Sequence, residues 1–153
     1  MRTELTPSGS GINATLDDAS SQITYSGFTS TQAGQSSISA INSGSFYQNT
    51  VSYTSSVGSS ATFSFVGSAL YIFGPTGPSF GVFQVEIDDS VIGTFNASTT
   101  VNLYNTLLFF VTHLGSTSQH GVVVTNQDDG KFLALDYCVS VQPETSAETA
   151  TGN

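Results

Sequence analysis

The amino-acid sequence predicts an all-β domain, folded as an antiparallel two-sheet β-sandwich. Segments of alternating apolar and polar residues recur along the chain, as in Val82–Asp88, where Phe83, Val85 and Ile87 share one face. Turn-forming Gly, Pro, Asn and Asp residues separate these segments, and no segment has a convincing helical period. Only 8% of the residues are charged, so exposed strand edges would be adhesive and a closed arrangement of two sheets is favoured.

The first third of the chain contains the weaker strand signals. Residues 1–15 are polar and aperiodic, which predicts a flexible arm or a first edge strand. A short strand is predicted at Ile23–Tyr25, followed by a surface excursion over the Ser- and Thr-rich segment Ser26–Ser45. Because a structureless loop of that length is unusual, a further strand at Ile38–Ile41 is an alternative. The next strand is predicted over Phe46–Thr54.

Residues 61–92 contain the strongest strand signals and are expected to form the centre of the domain. Ala61–Val66 alternates, whereas Ala69–Phe73 is continuously apolar, as is typical of a strand covered on both faces. Val82–Asp88 and Val91–Phe95 are predicted to form a hairpin through a two-residue turn.

The last third of the chain is predicted to complete the two sheets. A short strand or extended link at Val101–Leu103 precedes a predicted buried strand at Thr106–Thr112 and another strand at His120–Thr125. Phe132–Val141 is the longest alternating run, and Asp136 lies on the face opposite its main apolar stripe.

Length and composition predict a single domain with a short tail. The 153 residues suffice for one domain with a sizeable core, which is predicted to span residues 16–141. Residues 142–153 have almost no apolar content and are predicted to be disordered. Cys138 is the one cysteine of the chain and is predicted to be a buried apolar residue.

The charge balance excludes two classes of partner. Arg2 and Lys131 are the only basic residues, and the formal charge is −9 at pH 7. Nucleic acids and anionic membrane surfaces require a basic patch, so neither is expected as a partner. No apolar run approaches about 18 residues, so no direct insertion into a membrane is expected. The charge-poor surface and the sequons at Asn13 and Asn96 instead predict an extracellular or cell-surface glycoprotein.

The candidate catalytic motif lacks the context that its chemistry needs. Gly77–Gly81 matches the G-x-S-x-G pattern of a nucleophile elbow around Ser79. A predicted strand follows this motif, whereas the elbow requires a helix there. His113 and His120 flank a single turn, and their spacing does not support a triad with Ser79. The chain is therefore predicted not to be an enzyme.

Asp136 differs from the other aspartates, which stand in adjacent pairs that are more typical of turns than of a glycosidase site. Inside a predicted strand its carboxylate needs a partner, because an unpaired buried charge is costly. With two basic residues in the chain, that partner must be a cation or backbone N–H groups. Calcium, which takes six to eight oxygen ligands, is one candidate, and a hydrogen-bonded or exposed carboxylate is the alternative. The adjacent pairs are Asp17-Asp18, Asp88-Asp89 and Asp128-Asp129.

Eight segments occur in an order that resembles a known fold family. They are Leu16–Asp18, Ile23–Phe28, Ser60–Gly67, Leu70–Gly74, Gly81–Asp88, Leu107–Phe110, His120–Asn126 and Leu135–Tyr137. Over residues 17–141 they are similar to the galactose-binding-domain-like jelly-roll of fungal secreted and cell-surface proteins, an architecture that many carbohydrate-binding modules share. The resemblance implies a structural calcium ion between the N-terminal segment and the last strand, held by Asp17, Asp18 and Asp136.

One end of the predicted sandwich collects residues that are suited to ligand binding. If consecutive strands alternate in direction, four loops share this end. Asp129 and Lys131 lie in one of these loops. Phe80 and Tyr104 could stack on a sugar, with Asn105, Asn126 and Asp128 as hydrogen-bond partners. The alternative is that the two aromatic rings anchor their loops in the core. The four loops are Ser55–Ser60, Gly74–Gly81, Asn96–Asn105 and Asn126–Lys131.

The sequence therefore predicts a non-catalytic, lectin-like extracellular module that binds carbohydrate. A neutral sugar is expected, because a protein with a formal charge of −9 would repel an anionic glycan. The main alternative is a structural or adhesion domain of a fungal cell-surface protein that associates with itself or with another protein. A hydrolase ranks third.

Overall fold

The structure of the chain is a computed structural model that describes residues 12–32, 46–115 and 118–142. Within these residues the chain forms twelve β-strands and one 3₁₀ turn at Tyr47–Asn49. The strands are β1 (Ile12–Asp17), β2 (Thr24–Ser26), β3 (Thr29–Gln32), β4 (Thr50–Thr54), β5 (Ser60–Val66), β6 (Ala69–Thr76), β7 (Val82–Ile87), β8 (Ser90–Asn96), β9 (Leu103–Val111), β10 (Gln119–Asn126), β11 (Leu133–Leu135) and β12 (Tyr137–Gln142).

Two main sheets form the predicted antiparallel β-sandwich, which is confirmed. A four-stranded sheet has the order β1-β12-β6-β9, and a five-stranded sheet has the order β2-β5-β10-β7-β8. A third sheet, β11-β4-β3, is absent from the sequence prediction. Buried side chains of both main sheets form one hydrophobic core, including Leu70 and Ile72 of β6 and Val122 and Val124 of β10.

The alternation predicted for the centre of the domain is confirmed in β5 and β7. Phe63 and Phe65 of β5 are buried, as are Phe83, Val85 and Ile87 of β7, whereas the residues between them are exposed or half-buried. Each of these strands therefore presents one face to the core, as the period of two in its sequence requires.

A strand does cover the predicted segment Thr106–Thr112 up to Val111, but the prediction that this strand is buried is wrong. This segment belongs to the longer strand β9, which begins at Leu103 and forms an edge of the four-stranded sheet. Phe109 is the one buried residue in β9, whereas Leu107 and Phe110 are exposed. A continuous apolar run indicates burial on both faces only when the strand lies inside a two-sided layer, and β9 has no layer on its outer face.

The long alternating run Phe132–Val141 is divided at Asp136 and contributes to two sheets. β11 pairs with β4, whereas β12 pairs with β1 and β6. Between them, the backbone N–H of Asp136 donates to the carbonyl of Phe73, and its carbonyl accepts from the N–H of Asp18. The division turns the side chain of Asp136 into the protein, where it is buried.

Other expectations differ in detail from the structure. The predicted strand Phe46–Thr54 contains the 3₁₀ turn and begins as β4 only at Thr50. The β6 strand continues beyond Phe73, through Gly74 and Pro75. Residues 12–15 of the predicted arm lie in β1, at an edge of the four-stranded sheet. The expectations for residues 1–11, for a strand at 38–41 and for a disordered tail after residue 142 lie outside the described residues.

The part of the chain that the structure describes contains no helix long and apolar enough to cross a membrane.

Cys138 is buried in the core, as predicted. Burial raises the pKa of its thiol to about 12, so the side chain is an inert apolar group at neutral pH.

Candidate functional site

The four loops predicted to share one end of the sandwich do meet there. Gly81 donates its backbone N–H to the carbonyl of Phe132 (3.2 Å), and Ala97 donates to the carbonyl of Gly81 (2.9 Å). Gly130 donates to the carbonyl of Ser55 (2.8 Å), which joins the remaining pair of loops. This loop end is therefore a connected surface built from backbone hydrogen bonds.

Phe80 is a core anchor of the loop end, which is the alternative that the sequence left open. Its side chain is 1% exposed and packs against the ring of Phe132, with 6.0 Å between the ring centroids. A buried ring offers no face to a ligand, so the stacking role predicted for Phe80 is wrong in this conformation.

Asn126 and Asp128 hold the loops together from within. Asn126 is 0% exposed, and its side-chain amide donates to the carbonyls of Ser56 (3.2 Å), Asp128 (3.0 Å) and Lys131 (3.2 Å). The Oδ2 atom of Asp128 accepts the backbone N–H of Val82 at 2.8 Å. The burial of Asn126 corrects its predicted role as a ligand hydrogen-bond partner, and the Asp128 contact is structural.

Tyr104 and Asn105 are the predicted ligand-binding residues that remain accessible at this end. Tyr104 is half-buried and packs edge-on against Phe46, with 5.8 Å between the ring centroids. Asn105 is exposed, has a positive φ of 60°, and accepts a hydrogen bond from the hydroxyl of Tyr137 at 2.6 Å. This left-handed backbone, uncommon outside glycine, turns the amide of Asn105 towards the tyrosine hydroxyl.

Two further tyrosines belong to this site and were not singled out from the sequence. Tyr137 stacks on Phe73 with a centroid distance of 4.7 Å, and Tyr47 packs against Tyr137 at 5.0 Å. Tyr47 is 38% exposed. Only the register of β12 against β6, which sets Tyr137 opposite Phe73, brings these rings together.

The three predicted metal ligands converge beside these tyrosines. Asp17 ends β1, Asp18 follows it, and Asp136 lies between β11 and β12. One potential ligand atom from each of the three lies within 4.8 Å of the others. Asp18 is 0% exposed and Asp136 is 1% exposed, so the cluster is an internal carboxylate site.

Hydrogen bonds satisfy most of the oxygen atoms of this acidic cluster. Asp18 accepts from the hydroxyls of Thr50 (2.6 Å) and Ser52 (2.7 Å). Both carboxylate oxygens of Asp136 accept the backbone N–H of Tyr47, at 2.9 and 3.1 Å. The Oδ1 atom of Asp17 is buried and has no hydrogen-bond partner among the described residues. An orphaned buried oxygen in a group of three carboxylates fits a cation ligand.

Burial raises the pKa of the two innermost carboxyl groups. The pKa of Asp136 rises to about 7 because its side chain is desolvated, with a further contribution from the charge of Asp18. The pKa of Asp18 rises to about 6 for the same reason, although the hydroxyls of Thr50 and Ser52 oppose the shift. Without a cation, Asp18 and Asp136 are therefore difficult to ionise together at neutral pH.

The candidate catalytic residues do not assemble. Ser79 is followed by strand β7, so the strand-to-helix turn of a nucleophile elbow is not formed. His120 uses both ring nitrogens elsewhere, at 2.7 Å from an oxygen of Asp88 and 2.8 Å from the carbonyl of Gly115. Asp88 also accepts the backbone N–H of Gly121, in keeping with the turn role predicted for its pair.

The two predicted glycosylation residues are exposed. Asn13 lies in the edge strand β1, and Asn96 ends β8. The side-chain carbonyl of Asn96 accepts the N–H of Ser98 at 2.9 Å, a local turn within the sequon.

Solved structures of low sequence identity share this fold. A family 35 carbohydrate-binding module from an environmental isolate is 15% identical, with a TM-score of 0.54, and the match covers 86% of this chain and 98% of that one. The CBM36-1 domain of a multidomain xylanase from the hindgut metagenome of Trinervitermes trinervoides is 12% identical, with a TM-score of 0.54 and coverages of 84% and 95%. The Agl-KA catalytic domain is 12% identical, with a TM-score of 0.59. This match covers 94% of the present chain but only 30% of the Agl-KA structure.

The sequence comparisons match only part of the chain. No protein-family model matches it. Over 53 residues, or 35% of the chain, it is 40% identical to an A type blood N-acetyl-α-D-galactosamine deacetylase of Flavonifractor plautii. The chain spans only 7% of the length of that deacetylase.

Proposed function

We propose that the chain is a non-catalytic carbohydrate-binding module for neutral sugars. The observation that carries the proposal is the accessible group of aromatic and amide side chains at the loop end. Asn105 bonds to Tyr137, Tyr47 packs on Tyr137, and Tyr104 packs on Phe46, which precedes Tyr47. Aromatic rings pack against the C–H faces of sugars, while amides and hydroxyls hydrogen-bond to sugar hydroxyls.

Two further findings support this proposal. Compact carbohydrate-binding modules share the fold over nearly their whole length, which shows that such a sandwich can serve as a binding module alone. The formal charge of −9 favours an uncharged ligand over an anionic one.

Calorimetric titration with neutral oligosaccharides of glucan, mannan and xylan tests the proposal. Tyr104→Ala should weaken binding about thirtyfold, because truncating a stacking aromatic costs on the order of 2 kcal/mol. Ile92→Ala, which changes an exposed apolar residue on β8, should leave the affinity unchanged. Full affinity in the folded Tyr104→Ala variant would remove this residue from the site.

We propose that the acidic cluster holds calcium. Asp17, Asp18 and Asp136 would supply carboxylate oxygens, which calcium prefers, and the orphaned Oδ1 of Asp17 would gain a partner. A bound cation would neutralise the repulsion among the three carboxylates. It would also join the end of β1 to the junction between β11 and β12.

Thermal unfolding with calcium and with a chelator tests this assignment. Calcium should raise the Tm of the wild-type chain, because a ligand that binds only the folded state stabilises it. Asp136→Asn should abolish the shift, whereas Asp129→Asn, an exposed control, should retain it. Equal Tm values in calcium and in chelator would argue against the site.

An extracellular or cell-surface location is proposed on the charge-poor composition and on the exposure of both sequons. Secretion from a eukaryotic host should yield a product whose mass falls on treatment with an N-glycosidase. An unchanged mass would show that neither Asn13 nor Asn96 carries a glycan.

A second candidate, a domain that associates with its own copies, is favoured by one surface feature. Strands β8 and β9 border an apolar groove of ≈ 490 Å³, lined in part by Ile92 and Leu107, which are both exposed. Contiguous exposed apolar surface often marks a protein interface. Sedimentation equilibrium over a range of concentrations tests this candidate. The wild-type chain should form a dimer, and Ile92→Ser should weaken that dimer.

A further inference from the structure

The outer face of the four-stranded sheet carries four aromatic side chains on neighbouring strands. Tyr71 and Phe73 are two residues apart on β6 and therefore point to the same face. Their direct partners across the sheet are Phe110 of β9 and Tyr137 of β12. Together with Tyr47, which packs against Tyr137, they form what we call the aromatic row.

The rings of the aromatic row form two stacked pairs, one on each side of the step from Tyr71 to Phe73 along β6. Phe110 stacks on Tyr71 with 6.1 Å between centroids and 11° between planes. Phe73 stacks on Tyr137 with 4.7 Å between centroids, also at 11°. The intervening residue Ile72 points inward and is buried in the core. The row thus crosses the sheet diagonally from its β9 edge to the loop end.

The aromatic row is accessible at both ends. Phe110 is 57% exposed, and Tyr47 is exposed at the other end, while the three rings between them are half-buried. The ring of Phe110 is not among the side chains that form the hydrophobic core. Its position next to a stacked tyrosine provides an apolar surface for a ligand.

The face around the row is almost free of charge. Asp17 is the one acidic or basic residue in the four strands β1, β6, β9 and β12, and it lies at the loop end of the sheet. The hydroxyl of Tyr137 and the exposed amide of Asn105 provide hydrogen-bonding groups beside the rings. A neutral, hydroxyl-rich ligand matches this combination of rings and uncharged polar groups.

We infer that the aromatic row binds an extended segment of a neutral polysaccharide along the outer face of the four-stranded sheet. This inference rests on the proposed carbohydrate-binding function and extends its site from the loop end to Phe110. The formal charge of −9 favours a neutral ligand on this face, because a second copy of the chain or an anionic glycan would be repelled electrostatically. A neutral chain meets no such repulsion.

The test compares wild-type and variant chains in titrations with neutral oligosaccharides of increasing length. Phe110→Leu keeps an apolar side chain at this exposed position but removes the ring. The affinity for long oligosaccharides should fall about tenfold, the scale expected for loss of one aromatic contact. The affinity for a disaccharide held at the loop end should change less. Tyr71→Leu should have the same selective effect.

Val91→Ser is the matched control. Val91 is 56% exposed on β8 of the other main sheet, and the substitution should leave every affinity unchanged. Circular dichroism and the Tm of each variant establish that its fold is intact. If Phe110→Leu is unfolded, Tyr71→Phe, which keeps the ring, and Tyr71→Leu provide the comparison instead.

The outcomes distinguish the inference from the function on which it rests. A wild-type chain that binds no neutral oligosaccharide contradicts both. Wild-type binding that depends on Tyr104 but is unchanged in folded Phe110→Leu and Tyr71→Leu overturns the aromatic row alone. A concentration-dependent dimer that Phe110→Leu dissociates, with unchanged sugar affinity, also overturns it, because the face would then contact a second copy.

Discussion

Asn126 illustrates how a residue that suggests ligand binding in the sequence can serve the fold. Its amide is wholly buried and bonds to three backbone carbonyls in two loops. Those carbonyls lose this donor if the amide is removed. The residue therefore determines the shape of the loop end, and any ligand contact there depends on it indirectly.

Replacing this amide should destabilise the protein. Asn126→Ala removes the donor that three carbonyls share, and each carbonyl left without a partner costs roughly 1–3 kcal/mol, so a loss of about 2 kcal/mol in the free energy of unfolding is expected. Urea unfolding measures the loss. Asn105→Ala, at an exposed position of the same end, should change stability by much less. A stable Asn126→Ala chain would show that water replaces the amide.

The carboxyl groups of Asp18 and Asp136 should make the proposed calcium binding dependent on pH. Burial raises the pKa of these groups to about 6 and about 7, so protons compete with the cation in the acidic range. Calcium should therefore raise the Tm strongly at pH 8 and little at pH 5. Melting curves at the two pH values measure this difference. A calcium effect that is larger at pH 5 would contradict a carboxylate site.

At the scale of the strands, Asp136 shows where periodicity stops being informative. The alternation from Phe132 to Val141 predicts strand structure correctly on both sides of Asp136. It does not show that the two halves pair with different strands, because the alternation records only which faces are covered. The change of partner depends on bonds from Asp136 to Phe73 and Asp18, residues far away in the sequence.

The aromatic row was beyond prediction for the same reason. Each ring belongs to a strand segment or turn that the sequence indicates, but the row exists only because β6 lies between β9 and β12. Register between strands that are distant in sequence follows from the topology and not from local pattern. The acidic cluster, by contrast, is predicted from a few short motifs that resemble those of a known fold family. Because the family has a known topology, the resemblance also indicates which distant residues lie close together.

His120, near the start of β10, joins two loops and should have a raised pKa. The bond from its ring to Asp88 and the bond to the carbonyl of Gly115 both favour the protonated imidazole. Both partners are acceptors, so the charged ring with two N–H donors fits this position. The stabilisation that this contact provides is fully present below the ordinary histidine pKa of 6.5 and is lost as the pH rises through the raised pKa.

An NMR titration of the His120 ring checks this contact. The wild-type pKa should lie above that of Asp88→Asn, in which the carboxylate is replaced by an amide and the strongest cause of the shift is absent. An unchanged pKa of His120 in Asp88→Asn would show that the ion pair does not form in solution.

At the scale of the whole molecule, the protein has a formal charge of −9, but the outer face of its four-stranded sheet is nearly uncharged. Asp17, at the loop end, is the one charged residue in the strands of the four-stranded sheet, and the aromatic groups lie on the outer face of that sheet. This distribution disfavours nucleic acids, anionic glycans and other copies of the chain as ligands. It favours a neutral polymer that offers hydroxyl groups and apolar C–H faces.

Affinity electrophoresis of the wild-type chain tests the central claim most directly. Native gels that contain a neutral glucan, mannan or xylan should slow the protein relative to a reference protein in at least one case. A gel that contains an anionic polysaccharide should leave its relative mobility unchanged, because the formal charge of −9 opposes binding. Relative mobility that is the same in every neutral gel as in a gel without polysaccharide would contradict a carbohydrate-binding function.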